Sequence, residues 1–293
     1  MSKLLTLTFL LLGLLNLNAQ DVPVTNLYLF QLEMNGIDLD FTQPQFLTKF
    51  NLNGYNNQPS FFSNNELYIT AQHAGQKQTD IYAFDLKKQT MTQVTATPES
   101  EFSPTKMPNG FWFSAVRVER DADATQRLWK FPIDRLGAGE PVFPYVRNVG
   151  YHFWLNRSNV ALFIVGNPNQ LVLADAEDGS SIRLNINNPG RCFQRLSNGN
   201  MAFVHKETDE TWRIKEMDAT GQTKNIVETL GGSEDFVILR DGTFLMGRGS
   251  KLYAFRPGKS EDWKLIGDFK NFGINRITRM AVSADGKIAM VGQ

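Results

Sequence analysis

Ser63-Asn64-Asn65-Glu66-Leu67-Tyr68-Ile69-Thr70, and beyond a polar stretch Thr79-Asp80-Ile81-Tyr82-Ala83-Phe84-Asp85, decide the fold. Each is a short run of branched and aromatic residues, and the first opens on a tight turn of two asparagines. Such runs bounded by turn residues read as strands. Both halves recur. Asn109-Gly110 precedes Phe111-Trp112-Phe113, Ser158-Asn159 precedes Val160-Ala161-Leu162, and Asn198-Gly199 precedes Met201-Ala202-Phe203. Asp241-Gly242 then precedes Phe244-Leu245-Met246, and Asp285-Gly286 precedes Ile288-Ala289-Met290. Asn-Gly and Asp-Gly predict hairpins with type I′ turns, because both central residues of that turn need positive φ. The six turns fall 41 to 48 residues apart. The second half recurs as Leu27-Tyr28-Leu29-Phe30, Leu128-Trp129-Lys130-Phe131, Leu171-Val172-Leu173-Ala174, Trp212-Arg213-Ile214-Lys215 and Leu252-Tyr253-Ala254-Phe255.

Between these runs lie further turns, such as Glu177-Asp178-Gly179-Ser180, and short outer strands, such as Met91 to Thr95, Ile182 to Leu184 and Lys264 to Ile266. Four strands in roughly 44 residues is the pattern of a propeller blade. The two ends set the blade count. Asn26 to Thr48 has the aromatic strand and an outer strand but no inner hairpin, whereas Arg276 to Val291 has the inner hairpin and stops. Joined, they make one blade, which closes the ring and removes the open sheet edges that invite aggregation. The expected fold is all-β: a six-bladed propeller of four-stranded antiparallel blades, forming a single domain over 20–293, with the last blade built from both termini.

The second repeat resembles a known pattern. Pro59-Ser60-Phe61-Phe62-Ser63-Asn64-Asn65, then Asp80-Ile81-Tyr82, then Gln93-Val94-Thr95 is similar to the WD40-like repeat of TolB-type propellers. Pro108-Asn109-Gly110 continues it in the third repeat, and the later repeats depart from it. The resemblance covers the propeller part alone, since TolB carries an additional N-terminal α/β domain for which this chain has no room. It implies a six-bladed periplasmic propeller, in a family made up mostly of binding or scaffolding modules.

Residues 1–19 read as a secretory signal peptide. Lys3 gives a basic start, Leu4 to Leu15 an apolar core, and Ala19 a small residue at the cut. The apolar run is too short to span a bilayer, which takes about 20 residues. No cysteine lies near the cut, so a lipid anchor is not expected, and no second apolar span follows. The expected location is periplasmic or extracellular, as a soluble monomer without a transmembrane segment. Thirty Lys and Arg balance thirty Asp and Glu. That neutrality argues against a nucleic-acid partner, whose binding rests on excess positive charge. Cys192 is the sole cysteine, so no internal disulfide can form.

The loops leading into the innermost strands of a propeller surround one mouth of its central channel. Aligned by turn spacing, they offer Gln58, Glu101, Tyr151, His152, Arg191, Glu234, Asp235, Arg276 and Arg279 as candidate ligand-binding residues. The set mixes both charges with hydrogen-bonding groups and suits a polar ligand such as a glycan or a peptide end. His73, His152 and His205 fall in different blades without a metal-ligand spacing, so no metal is expected. Asp121-Ala122-Asp123-Ala124-Thr125 lacks the glycine and closing glutamate of a calcium loop. The five tryptophans fall mostly at repeat-strand positions and are expected to pack between blades.

Gly-x-Ser-x-Gly, His-Glu-x-x-His and phosphate-loop patterns do not occur. The sequence therefore points to an exported, non-catalytic propeller binding a protein, peptide or glycan, with no cofactor. Two alternatives stay open. One is a hydrolase or lyase acting on sugars or peptides at the channel mouth, and the other is a structural envelope scaffold.

Overall fold

The structure is a computed structural model, and it describes residues 22–35 and 38–293. The signal-peptide reading of 1–19 lies outside the described residues. Six four-stranded antiparallel sheets follow one another as blades. Blade 1 opens with the innermost strand Tyr55–Ser63, blade 2 with Ser100–Lys106 and blade 3 with Val149–Trp154. Blade 4 opens with Pro189–Arg195 and blade 5 with Phe236–Ile238. The sixth blade takes Ile277–Val282 and Lys287–Gly292 from the end of the chain, then Asn26–Asn35 and Asp38–Phe46 from its start. Among the described residues there is no α-helix, only a 3-10 turn at Lys270–Phe272.

Burial explains why the second strand of each blade carries the densest apolar run. Every residue of Glu66–Gln72 and Trp112–Val118 except the end ones is buried, because blades cover these strands on both faces. The outermost strands are largely exposed, as Thr90–Gln93 and Ser181–Asn187 show. Their polar side chains protect the rim from edge-to-edge pairing.

Closure shows in the core. The buried apolar residues form six clusters, and each bridges two neighbouring blades. An open array of six sheets would have five such seams. The sixth joins Leu27, Leu29, Ala289 and Val291 of the composite blade to Leu67, Ile69 and Tyr82 of blade 1. Within the composite blade the two ends pair from Asn26 opposite Gly292 to Gln31 opposite Lys287.

The turns depart from expectation in one respect. In Asn109-Gly110, Asn198-Gly199, Asp241-Gly242 and Asp285-Gly286 only the glycine has positive φ, so these are not type I′ turns. The glycine N–H reaches back to the carbonyl of Met107, Leu196, Leu239 or Ser283, three residues earlier. This is a type I turn ending in a left-handed glycine; the last three are three-residue hairpin loops, and the Asn109-Gly110 loop is one residue longer, closed by the Met107 N–H on the Trp112 carbonyl. The Asx residue acts through its side chain: Oδ1 of Asn109, Asn198 and Asp241 accepts the backbone N–H two residues on.

Five of the six innermost strands also break register near the mouth, at Asn57/Ser60, Phe102/Thr105, Val149/Tyr151, Pro189/Phe193 and Ile277/Arg279. In blades 1 and 2 the bulge places Gln58 and Ser103 at positive φ. Bulges re-aim side chains, and here they do so around the channel.

Candidate binding site at the channel mouth

Along Val149–Trp154, His152 and Trp154 are buried while Tyr151 and Phe153 stay partly open. Along Pro189–Arg195, Cys192 is buried between partly open Arg191 and Phe193. Strand alternation thus sends Tyr151, Phe153, Arg191 and Phe193 to the channel, and His152 and Cys192 into the seams between blades.

Three cavities meet at the mouth. The channel cavity has a volume of about 310 Å³ and is lined by innermost strands and the loops that enter them. A mouth cavity of about 550 Å³ adds Tyr55, Asn57, Phe102, Arg276 and the Val22-Pro23 segment. A lateral cavity of about 650 Å³ runs outward past Lys206, Trp212 and Glu234. Tyr151 and Arg191 line all three, and Gln58 and Arg279 line the first two.

The charges here form a chain. Arg191 donates from Nε (3.0 Å) and Nη2 (2.6 Å) to Asp235 Oδ2, and its Nε lies 3.4 Å from Glu234 Oε1. Lys206 Nζ contacts Glu234 Oε2 at 2.9 Å. Arg279 Nε stands 3.9 Å from Asp235 Oδ1, and its guanidinium lies over the Tyr151 ring, 4.9 Å from the centroid. Burial alone would raise the Glu234 pKa, but Arg191 and Lys206 hold it below the usual carboxylate range. Burial alone would lower the Arg279 pKa, but the Asp235 carboxylate beside it keeps its cation favoured. Burial pushes the Tyr55 phenol up to about 12, so it stays a neutral hydrogen-bonding group.

Eight of the nine residues singled out from the sequence line these cavities: Gln58, Tyr151, His152, Arg191, Glu234, Asp235, Arg276 and Arg279. Their settings differ. The Gln58 Oε1 is engaged, accepting from Thr70 Oγ1 at 2.7 Å and from the Ser103 N–H at 2.8 Å. Arg276 is exposed at the rim. His152 touches the channel cavity but is committed to the seam between blades 2 and 3. There its Nε2 lies 2.7 Å from Ser114 Oγ, which also accepts the Trp154 indole N–H at 2.9 Å. Burial drops its pKa to about 3, so the ring is neutral.

Glu101 is placed elsewhere. It is fully buried between blades 1 and 2, and its Oε1 takes Arg117 Nε at 3.0 Å and the Thr97 hydroxyl at 2.5 Å. Arg117 is itself buried and stacks on Trp129, 4.0 Å from the ring centroid. Burial raises the Glu101 pKa to about 7, and Asp80 nearby adds to the rise. Asp80, from the Asp-Ile-Tyr run, is also buried and raised by that burial to about 6.

Sequence reasoning missed three participants. Lys206 and Trp212 flank the loop between the second and third strands of blade 4, with Lys206 Nζ 4.4 Å from the Trp212 ring centroid. Their signal was the polar run Glu207-Thr208-Asp209-Glu210, which breaks the apolar strand pattern. Trp212 is thus a cavity wall as well as a packing residue. Ser114 carries no local signal, because its role depends on a side chain in the next blade. Among the described residues no three His, Cys, Asp or Glu side chains gather as metal ligands, and no helix is long and apolar enough to cross a membrane.

The fold defines the class: a six-bladed β-propeller with a charged mouth. The structure assigned to TolB from Agrobacterium tumefaciens superposes with a TM-score of 0.66 at 10% identity, covering 93% of this chain and 99% of that one. A chain of a nidogen/laminin complex gives a TM-score of 0.63 at 11% identity, covering 92% and 98%. TolB from Acinetobacter baumannii gives 0.56 at 13% identity, covering 92% of this chain and 64% of that one. No protein-family model and no curated protein sequence matches the chain. At these identities the likeness is one of fold.

Proposed function

We propose that this protein is an exported, non-catalytic propeller that binds a peptide, protein or glycan at the channel mouth. The observation that carries the reading is the convergence of three cavities on Tyr151 and Arg191. Concave sites with a few fixed polar groups are where proteins hold ligands. The groups equipped for chemistry are engaged elsewhere. His152 is bonded to Ser114. Cys192 is raised by burial to about 12, and its thiol donates to the Phe236 carbonyl at 3.1 Å. Ser114, although in contact with a histidine, is fully buried, where no substrate can reach it. This favours binding over hydrolase or lyase activity, and the meeting of three cavities favours a ligand site over a purely structural envelope part.

The test is a thermal-shift panel of peptides and glycans on the wild-type chain and on Arg191→Ala. A ligand at a thousand times its Kd stabilises the folded state by about 4 kcal/mol. At least one ligand should raise the wild-type melting temperature and lose that effect in the variant. Uniform silence across the panel, or shifts that survive Arg191→Ala, would overturn the reading. Export is tested separately by N-terminal sequencing of the secreted protein, with Gln20 expected as the first residue.

A further inference from the structure

Resting on that reading, we propose that the neck of the channel is a receptor for an organic carboxylate carrying an apolar group, with the carboxylate on Arg279 and the apolar group in the throat below it. Three observations support this. The first is the state of Arg279. Its side chain is only 14% exposed, yet among the described residues it donates no hydrogen bond to the protein and has one ion-pair contact, at 3.9 Å. A guanidinium has five N–H donors and no way to discharge. Those unspent donors open onto the channel and mouth cavities, where an incoming acceptor can take them. Arg191 beside it is, by contrast, already bound by Asp235 through two N–H groups.

The second observation is the charge balance. Glu234 is matched by Lys206, and Asp235 is taken up mainly by Arg191. Among these five groups Arg279 is the one cation in excess, and the exposed Arg276 also lines the mouth cavity. A single negative charge fits that excess. A phosphate dianion would set a second charge against Asp235 and Glu234. Planar carboxylates also match the forked geometry of arginine.

The third observation is what lies beneath. The channel cavity is charged at Arg191, Asp235 and Arg279, and its wall also carries the aromatic rings of Phe61, Phe153 and Phe193 among the smaller polar side chains of Ser60, Thr105 and Gln194. Its 310 Å³ equals the liquid volume of about ten water molecules. That is room for one large apolar side chain or a short alkyl chain. A charged collar beside three phenylalanine rings favours acids that carry an apolar group at their other end.

Two sources supply this chemistry: a peptide C-terminus ending in Leu or Phe, and a medium-chain fatty acid. Calorimetric titration of the wild-type chain separates them, using a Leu-terminated hexapeptide against its C-terminal amide, and octanoate against octanol. One acid should bind, with its uncharged partner at least tenfold weaker. Arg279→Gln should weaken that acid by roughly 30-fold or more, as expected for losing one member of a buried charge pair. Arg279→Lys, which keeps the charge, should retain part of the affinity. The acid and amide comparison needs no variant, so it stands even if Arg279→Gln folds poorly. An amide or alcohol that binds as tightly as its acid overturns the proposal, and so does an acid whose affinity Arg279→Gln leaves unchanged. If both acids are silent while a ligand from the thermal-shift panel binds through Arg191, the mouth is a binding site and the carboxylate assignment is wrong. If the panel is silent too, both readings fall.

Discussion

Glu101 and Asp235 enter the propeller at corresponding points, each where a loop leads into an innermost strand, and they meet opposite fates. Glu101 turns into the seam between blades 1 and 2, has no solvent exposure, and is served by one arginine and one threonine. Among the described residues its Oε2 has no hydrogen-bond partner. Asp235 turns to the channel, where two arginines compete for it and 13% of its side chain stays in contact with solvent. The first arrangement can only be satisfied from within the protein. The second leaves cationic capacity unspent and open to a cavity. A buried ion pair is a matter of folding, and an incompletely matched pair beside a cavity is a matter of binding.

The sharpest way to break this contrast is to remove the cation at the buried site. Arg117→Met leaves the Glu101 carboxylate unpaired and should cost about 3–5 kcal/mol, read by urea denaturation. Adding Glu101→Gln should recover most of that loss, because both charges are then gone. Next in size is Ser114→Ala, which strips the partner from the buried Trp154 indole and from His152 Nε2. An unsatisfied buried group costs about 1–3 kcal/mol. Denaturation midpoints should fall accordingly, while ligand affinity at the mouth should hold. A loss of affinity without a loss of stability would show that this seam network belongs to the site.

A smaller effect follows from pH. The pKa values of Glu101 and Asp80 are raised in the folded state, to about 7 and about 6. A folded-state pKa above the unfolded one means that folding takes up protons. The associated stability is complete below the ordinary carboxylate pKa of about 4 and is lost as pH rises through 6 to 7. Unfolding free energy measured from pH 5 to pH 8 should therefore decline, and Glu101→Gln should flatten the decline. A rising slope over that range would mean that Arg117 outweighs burial at Glu101.

The ring could be read from the chain because it rests on features that repeat. The six turns, the aromatic third strands and the two complementary termini needed only spacing and residue type. The site could not be read to the same depth. Spacing locates Glu101, His152 and Arg191 along their strands, but the bulges in those strands shift which residues face the channel. Those bulges place Gln58 and Ser103, rather than glycine, at positive φ, so the sequence gives no warning of them. Lys206 and Trp212 come from a loop between second and third strands, a different class of loop from those that mark the channel entrance. The turn type is hidden for a related reason: Asn-Gly suits either hairpin, and the loop length that decides between them depends on where pairing resumes.

The smallest effect on stability belongs to Asp235, and it discriminates most between the two regions. Asp235→Asn removes the charge and keeps the shape. Arg191 retains Glu234 as an ion-pair partner at 3.4 Å, so the loss should stay near about 1 kcal/mol, the scale of a partly solvated pair. Binding should change more, and in the opposite sense. With Asp235 neutralised, Arg191 keeps Glu234 while Arg279 loses its one ion-pair contact, and an incoming carboxylate no longer competes with Asp235 for it. Affinity for the acid should rise severalfold, while affinity for the amide or alcohol stays level. If Asp235→Asn instead weakens the acid, Asp235 serves to position Arg279, and the excess charge at the neck is not what holds the ligand.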